Sequence, residues 1–280
     1  MTRPLIRYHG GKWRMAKHII PLFPPHKIYV EPFGGGAGIL LQKAPAHTDV
    51  YNDLDGDIVN MFTMVRENPG LLAHMIEWTP FARDEFYTAC EKTEDKLEQA
   101  RRTIVRAFMG FGSAAATKGS TGFRGLDAGS HSYKRWGKQP ATIIEAAKRL
   151  KECVIENKPY QEIFNQYDTG ETLFYLDPPY VKSTRTSITS TSGGRYYNHE
   201  MEDADHSDLL RRAKRLKGIV VISGYASDLY DDALSGWDRY TFQSRASGHR
   251  GTVNREEVVW VKPHIKERSL LDYAGVTHAV

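Results

Sequence analysis

Two hydrophobic rhythms alternate along the chain. Ile28-Tyr29-Val30-Glu31 is a short apolar run that leads directly into Pro32-Phe33-Gly34-Gly35-Gly36-Ala37-Gly38. β-Branched and aromatic residues in so short a run predict a buried strand. An apolar stretch with helical spacing follows from Ile39. Asp49-Val50-Tyr51-Asn52-Asp53 predicts a second strand ending in an acidic cluster, and Ile58 to Val65 predicts a helix. Strand, glycine loop, helix and strand in this order begin a doubly wound α/β sheet.

From about residue 70 to 150 the spacing is helical, as in Asp84 to Phe108. It is interrupted by the Gly/Ser/Thr-rich stretch Gly110 to Ser132, with basic and aromatic residues interspersed. The α/β rhythm then resumes. Thr172-Leu173-Phe174-Tyr175-Leu176 predicts a strand running into Asp177-Pro178-Pro179-Tyr180. Ser183 to Gly194 predicts a flexible loop, Asp203 to Leu216 a helix, and Gly218 to Ser223 and Glu256 to Val261 two more strands. The expected organisation is a catalytic α/β domain in two parts, 1–69 with the glycine loop and 151–280 with the Pro-Pro turn. Between them lies an inserted, mainly helical domain, 70–150.

Length and composition set few further limits. The 280 residues are 40% hydrophobic and 26% charged, as in an ordinary globular protein. No apolar run approaches the roughly 20 residues that cross a bilayer, and Met1 to Arg7 leads into no apolar signal core. Cys90 and Cys153 form no metal-ligand spacing and no disulfide framework, which predicts two reduced thiols in a cytoplasmic protein. The eleven histidines show no pairing with carboxylates that suggests a metal.

Charge changes the picture more. Between Arg101 and Leu150, ten Lys or Arg stand against two acids, Asp127 and Glu145. That segment carries about +8 in a chain whose net charge is +4, so the remainder is mildly acidic. A local basic surface suits a polyanion, because neutralised phosphates release counterions. A solvated charged face gives the same count, so charge needs chemistry elsewhere to point to a partner.

Two constellations supply that chemistry. Glycines after a strand let the backbone approach a nucleotide-like ligand, and Asp53 at the next strand end is placed to accept from ribose hydroxyls. The spacing departs from the dinucleotide fingerprint, since Ile39 stands where its third glycine belongs. A nucleoside-containing cofactor therefore fits better than a pyrophosphate. The second constellation is Asp177-Pro178-Pro179-Tyr180. Two prolines stop a strand and stiffen the turn, holding Asp and Tyr at the carboxyl edge of the sheet. The exocyclic amine of adenine is a poor nucleophile, its lone pair being delocalised into the ring. A carboxylate accepting one N–H and a Pro-Pro turn carbonyl accepting the other would localise that lone pair, and a Tyr ring can stack on a base that has left the helix.

These motifs, in this order, resemble the Dam-like adenine-specific DNA methyltransferases over most of the chain. Tyr8-His9-Gly10-Gly11-Lys12 resembles the N-terminal aromatic-x-Gly-Gly-Lys element, Glu31 to Gly38 the cofactor loop, Asn52-Asp53 the ribose-binding strand end and Asp177 to Tyr180 the catalytic tetrapeptide. His206 with Leu209, Val221 to Tyr225 and Asn254-Arg255-Glu256-Glu257-Val258 resemble the closing elements. The resemblance implies a seven-stranded S-adenosylmethionine-dependent methyltransferase sheet with an inserted helical DNA-recognition domain, acting on double-stranded DNA with no metal and no obligate protein partner. It implies Asp177, Pro178, Pro179 and Tyr180 as catalytic residues. Tyr8, Lys12, Glu31, Phe33, Gly34, Gly36, Asp53, Tyr160 and Asp177 are then cofactor contacts.

The positive charge of Lys12 is expected near either the methionine carboxylate or the active-site acid. Where the family carries Asp-Phe before the catalytic strand, this chain has Pro159-Tyr160. The aromatic contact is kept, and the missing carboxylate implies either looser cofactor binding or a substitute acceptor such as Gln161. Asn-Pro-Pro-Tyr is usual in RNA-adenine and protein-glutamine enzymes and an initial Ser in cytosine-N4 enzymes, so Asp177 favours DNA adenine. A catalytically silent DNA-binding relative would have no need of Asp177 and Tyr180. Within the basic segment, Arg124 beside Phe123 is expected in close groove contact, and Lys134, Arg135 and Lys138 on phosphates.

Overall fold

The computed structural model describes residues 1–112, 116, 122–125, 132–184, 198–248 and 251–263. Among them, seven strands form one sheet: β1 (Ile28–Glu31), β2 (Thr48–Asn52), β3 (Cys153–Glu156), β4 (Thr172–Leu176), β5 (Ile219–Tyr225), β6 (Asp238–Gly248) and β7 (Gly251–Val261). The helices are α1 (Ala16–Ile19), α2 (Gly56–Glu67), α3 (Pro69–Glu77), α4 (Arg83–Thr88), α5 (Lys96–Met109), α6 (Ser132–Trp136), α7 (Gln139–Leu150), α8 (Tyr160–Tyr167), α9 (Asp203–Arg215) and α10 (Asp228–Ala233).

Side chains alternate across the central strands and bury on both faces. Tyr29, Leu173, Tyr175, Val221 and Val259 join one apolar cluster, together with Ile58, Leu72, Ile104 and Ile143 of α2, α3, α5 and α7. Val30, Phe174, Leu176, Ile222 and Val258 join the other, together with Phe164, Leu209 and Tyr230 of α8, α9 and α10. Helices thus cover both faces, as a mostly parallel sheet requires. The helices between β2 and β3 share their core with the sheet: Ile104 and Ile143 lie in the same cluster as Tyr29 and Tyr51.

The strand order is β3-β2-β1-β4-β5-β7-β6. β1 pairs in parallel with both β2 and β4, while β7 runs antiparallel to β5 and to β6. The chain builds outward from β1 to β3, then crosses to β4 on the other side of β1. The carboxyl ends of β1 and β4 therefore flank a topological switch point, where α/β sheets bind ligands. The glycine loop leaves one of these ends and the Pro-Pro turn the other.

Two sequence expectations are corrected. The stretch from Ile39 is a series of turns rather than a helix. The Leu40 N–H is taken by the Glu31 carboxylate at 2.7 Å, and Pro45 disfavours helix at the residue before it. The Asp84 to Phe108 pattern divides into α4 and α5, because Asp95 accepts from the Leu97 and Glu98 N–H groups and starts a new helix. Strands β3 and β6 add to the strands read from the sequence. Of the loop expected over Ser183 to Gly194, residues 185–194 lie outside the described residues. So does most of Gly110 to Ser132.

Candidate active site

A cleft of about 380 Å³ opens at the switch point, lined by Tyr8, Lys12, Glu31, Phe33, Gly34, Gly36, Asp53, Tyr160, Asp177 and Pro179 among others. That volume suits a small ligand. The cleft brings together all nine residues assigned from the sequence to the cofactor.

The glycine loop is shaped by close packing. A Cβ on Gly34 would stand 2.2 Å from the Tyr51 ring, and Gly35 has φ +47° with the Tyr8 ring beneath it. The Asp53 carboxylate accepts from the Gly35 and Asp55 N–H groups, each at 2.8 Å. Burial still raises its carboxyl to about 6, against the pull of those amides. Each oxygen retains a lone pair for a ligand hydroxyl. Glu31 is fully enclosed and accepts from Tyr29 Oη at 2.5 Å and the Leu40 N–H at 2.7 Å, bracing the loop from below. Burial raises its carboxyl to about 8.

Farther along the cleft, Phe33 and Tyr160 face one another with centroids 5.4 Å apart, and Tyr160 Oη donates to Asp208 at 3.0 Å. Pro159 and Gln161 line the cleft beside them. Asn52 ties the strand ends together, donating to the Pro32 and Lys158 carbonyls and accepting from the Lys158 N–H.

At the opposite end lies a buried ionic cluster. Lys12 Nζ donates to Asp177 Oδ1 at 2.6 Å, to Tyr180 Oη at 2.7 Å and to the Gly10 carbonyl at 3.0 Å, and stands 3.2 Å from Glu257 Oε1. Of the two sites open for its charge, Lys12 thus lies at the acid. Burial opposes that charge, but Asp177 and Glu257 outweigh it and hold the ammonium well above the ordinary lysine pKa. Asp177 Oδ1 also accepts from Ser223 Oγ at 2.9 Å, whereas no described residue bonds Oδ2, and 18% of the side chain stays accessible. Burial raises the Asp177 carboxyl above its ordinary value, against Lys12 and Ser223. Tyr180 is buried and stacks on Tyr225 at 4.0 Å and 13°, with Lys12 over its ring at 4.7 Å.

Residues 8–245 match the family described as D12 class N6 adenine-specific DNA methyltransferase. The chain belongs to this family. Among its relatives, a type II methyltransferase of Lactococcus lactis subsp. cremoris is 24% identical, over 82% of this chain and 85% of that protein. A type II methyltransferase of Methanocaldococcus jannaschii is 23% identical, over 85% of this chain and 89% of that one. The DNA adenine methylase of Vibrio cholerae serotype O1 is 23% identical, over 79% and 80%.

As a D12 methyltransferase the enzyme acts on adenine in DNA, and its basic segment divides accordingly. Arg101, Arg102, Arg106 and Arg149 pair with Glu85, Glu98, Asp57 and Asp49, all acids outside the segment. Lys134, Arg135 and Lys138 are exposed on and just after α6. Arg124 is half-buried, donates to the Gly110 carbonyl at 3.3 Å and lies over the Phe111 ring. None of these four lines the cleft. Arg7, not singled out in the sequence, lies near both Arg124 and Arg135: burial lowers its guanidinium to about 10, and those two charges add to the effect.

Glu257, Ser223 and Tyr225 lie in the closing elements of the sequence, where spacing gives them no role. The pairing of β5 with β7, which sets Tyr225 opposite Glu257, brings Glu257 to Lys12. No helix among the described residues is long and apolar enough to cross a membrane. No group of three or more His, Cys, Asp or Glu among them could hold a metal ion.

Proposed function

We propose that the enzyme transfers a methyl group from S-adenosylmethionine to the N6 amine of an adenine extruded from a specific site in duplex DNA. The observation that carries this reading is the divided Asp177 carboxylate, one oxygen held by Lys12 and Ser223 and the other without a bond from any described residue. A fixed acceptor beside a nucleoside-sized cleft is what activation of an adenine amine requires.

The cleft suits the cofactor in parts. Gly34 and Gly36 let the loop pack closely against Tyr51 and Tyr8 at the cleft wall, Asp53 offers its remaining lone pairs to ribose hydroxyls, and Phe33 and Tyr160 provide flat walls for a purine. Glu31 acts through the loop it braces, and Tyr8 packs beneath that loop. S-Adenosylmethionine, when bound, supplies an electrophilic methyl group. Asp177 and a carbonyl of the Pro178-Pro179 turn accept the two amine N–H groups and localise the nitrogen lone pair, while Tyr180 receives the base once its ring turns from its stack on Tyr225 toward the cleft. Holding the reactants in line supplies much of the acceleration.

A methyltransferase acting on RNA adenine or on protein glutamine is the rival reading, and a silent DNA-binding relative is a second. Radiolabelled methyl transfer to duplex DNA, to RNA of the same sequence and to a glutamine peptide separates them. Incorporation confined to DNA is expected; preferential RNA or peptide labelling, or none, would overturn the proposal.

Two further outcomes follow from the assignments. Asp53→Ala raises the dissociation constant for the cofactor about tenfold or more by isothermal titration, while slowing the bound complex less, because a ribose contact is uniform between ground and transition states. Unchanged affinity would remove Asp53 from the site. Neutralising Lys134, Arg135 and Lys138 together weakens binding to every duplex and flattens the salt slope, by about one unit per lost phosphate contact. The preferred sequence and the cofactor affinity stay as they were. An altered cofactor affinity with intact DNA binding would instead assign this surface to the catalytic fold.

A further inference from the structure

One ammonium in this site faces two buried carboxylates. Glu257, 3% exposed, lies 3.2 Å from Lys12 Nζ, which also bonds Asp177 at 2.6 Å. Charge balance for Lys12 needs one carboxylate, and burying a second carries a desolvation penalty. The cluster is left with a formal charge of −1 at the wall of the cleft. Among the described residues, those facing Glu257 include Lys12 from the N-terminal loop, Tyr180 Oη at 3.3 Å, Asp177 beyond Lys12, Tyr225 opposite on β5 and Phe242 opposite on β6.

We propose that Glu257 is a positioning residue that shares Lys12 with Asp177, so that the ammonium does not fully quench the Asp177 carboxylate and Asp177 remains a strong acceptor for the substrate amine. This rests on the reading above. In the transfer, the carbon–sulfur bond of the sulfonium breaks and a carbon–nitrogen bond forms at N6, leaving a neutral thioether and an amine with one proton too many. Asp177 takes that proton and passes it to solvent, while Glu257 keeps Lys12 in place. The net negative cluster also opposes the positive sulfonium, so Glu257 favours a charged cofactor over its neutral product. Burial raises the Glu257 carboxyl against the pull of Lys12, with Asp177 adding to the rise, in keeping with two acids sharing one cation.

Glu257→Gln preserves shape and removes the charge, and thermal melting checks that the variant folds. Binding is measured with sinefungin, whose ammonium replaces the sulfonium, and with S-adenosylhomocysteine, which is neutral there. Expected are an approximately tenfold loss for sinefungin and a change within twofold for S-adenosylhomocysteine. With saturating cofactor, kcat on duplex DNA falls about tenfold or more. The acid limb of its pH profile moves to lower pH, because losing a neighbouring negative charge lowers the Asp177 carboxyl. Glu257→Asp restores part of both effects. Equal losses for the two ligands, or an unchanged kcat and acid limb, would overturn the role of Glu257. A wild-type enzyme that labels no DNA adenine would overturn the proposed function instead, and the binding comparison, which needs no DNA, would still decide Glu257.

Discussion

Asp177→Ala abolishes methyl transfer, with a loss in kcat of at least about 10²–10³-fold, the range seen when one preorganised polar group is removed from a reaction centre. The fold survives the change. Asp177 is partly accessible, and Lys12 is left with Glu257 at 3.2 Å and Tyr180 at 2.7 Å, so no buried cation is orphaned. Cofactor affinity changes far less than turnover, since the acceptor acts on the amine and not on the nucleoside end of the cleft. Single-turnover rates with a duplex oligonucleotide check this directly. Near-normal turnover would remove Asp177 from the mechanism.

The second large effect falls on stability. Lys12→Met removes the cation from between two carboxylates and leaves them as buried like charges, which costs about 3–5 kcal/mol when a buried pair is broken. The pH dependence has a definite sign. Burial already raises the Asp177 and Glu257 carboxyls, and without Lys12 both rise further. An acid whose folded pKa exceeds its unfolded value binds more protons in the native state, so stability falls as pH rises through that window. The variant is therefore closer to wild type at pH about 5 than at pH about 8, by denaturant unfolding. An equal deficit at both would locate the loss elsewhere, for instance in the cation–π contact with Tyr180.

What was legible in the sequence follows from where each element lies. Strands β1, β2, β4 and β5 are interior and buried, so they read as apolar runs bounded by turns. The two strands missed, β3 and β6, are the two edges of the sheet. An edge strand is less covered than an interior one, so exposed polar residues such as Arg239, Thr241 and Gln243 are tolerated on β6 and its pattern loses contrast. The helical spacing from Ile39 misled for a different reason, since the Glu31 carboxylate competes for a backbone donor there.

The same division holds at the site. Asp177 to Tyr180 and Gly34 to Gly38 are contiguous, so the sequence presents each as a motif, whereas Glu31 and Phe33 enter only through the family resemblance. The cluster of Lys12, Asp177 and Glu257 gathers residues from both ends of the chain, and the β5–β7 register that completes it has no local signature. The basic segment was overcounted for a related reason. Arg101, Arg106 and Arg149 meet acids distant in sequence, and Arg102 meets Glu98 just outside the segment, none of which a window count takes in.

The most direct test of methyl transfer to the adenine amine is mass spectrometry of nucleosides from duplex DNA incubated with purified enzyme and methyl-deuterated S-adenosylmethionine. Deuterated N6-methyladenosine in its deoxy form is expected, present with wild type and absent with Asp177→Ala. Label on cytosine, on RNA or on the protein alone would contradict it.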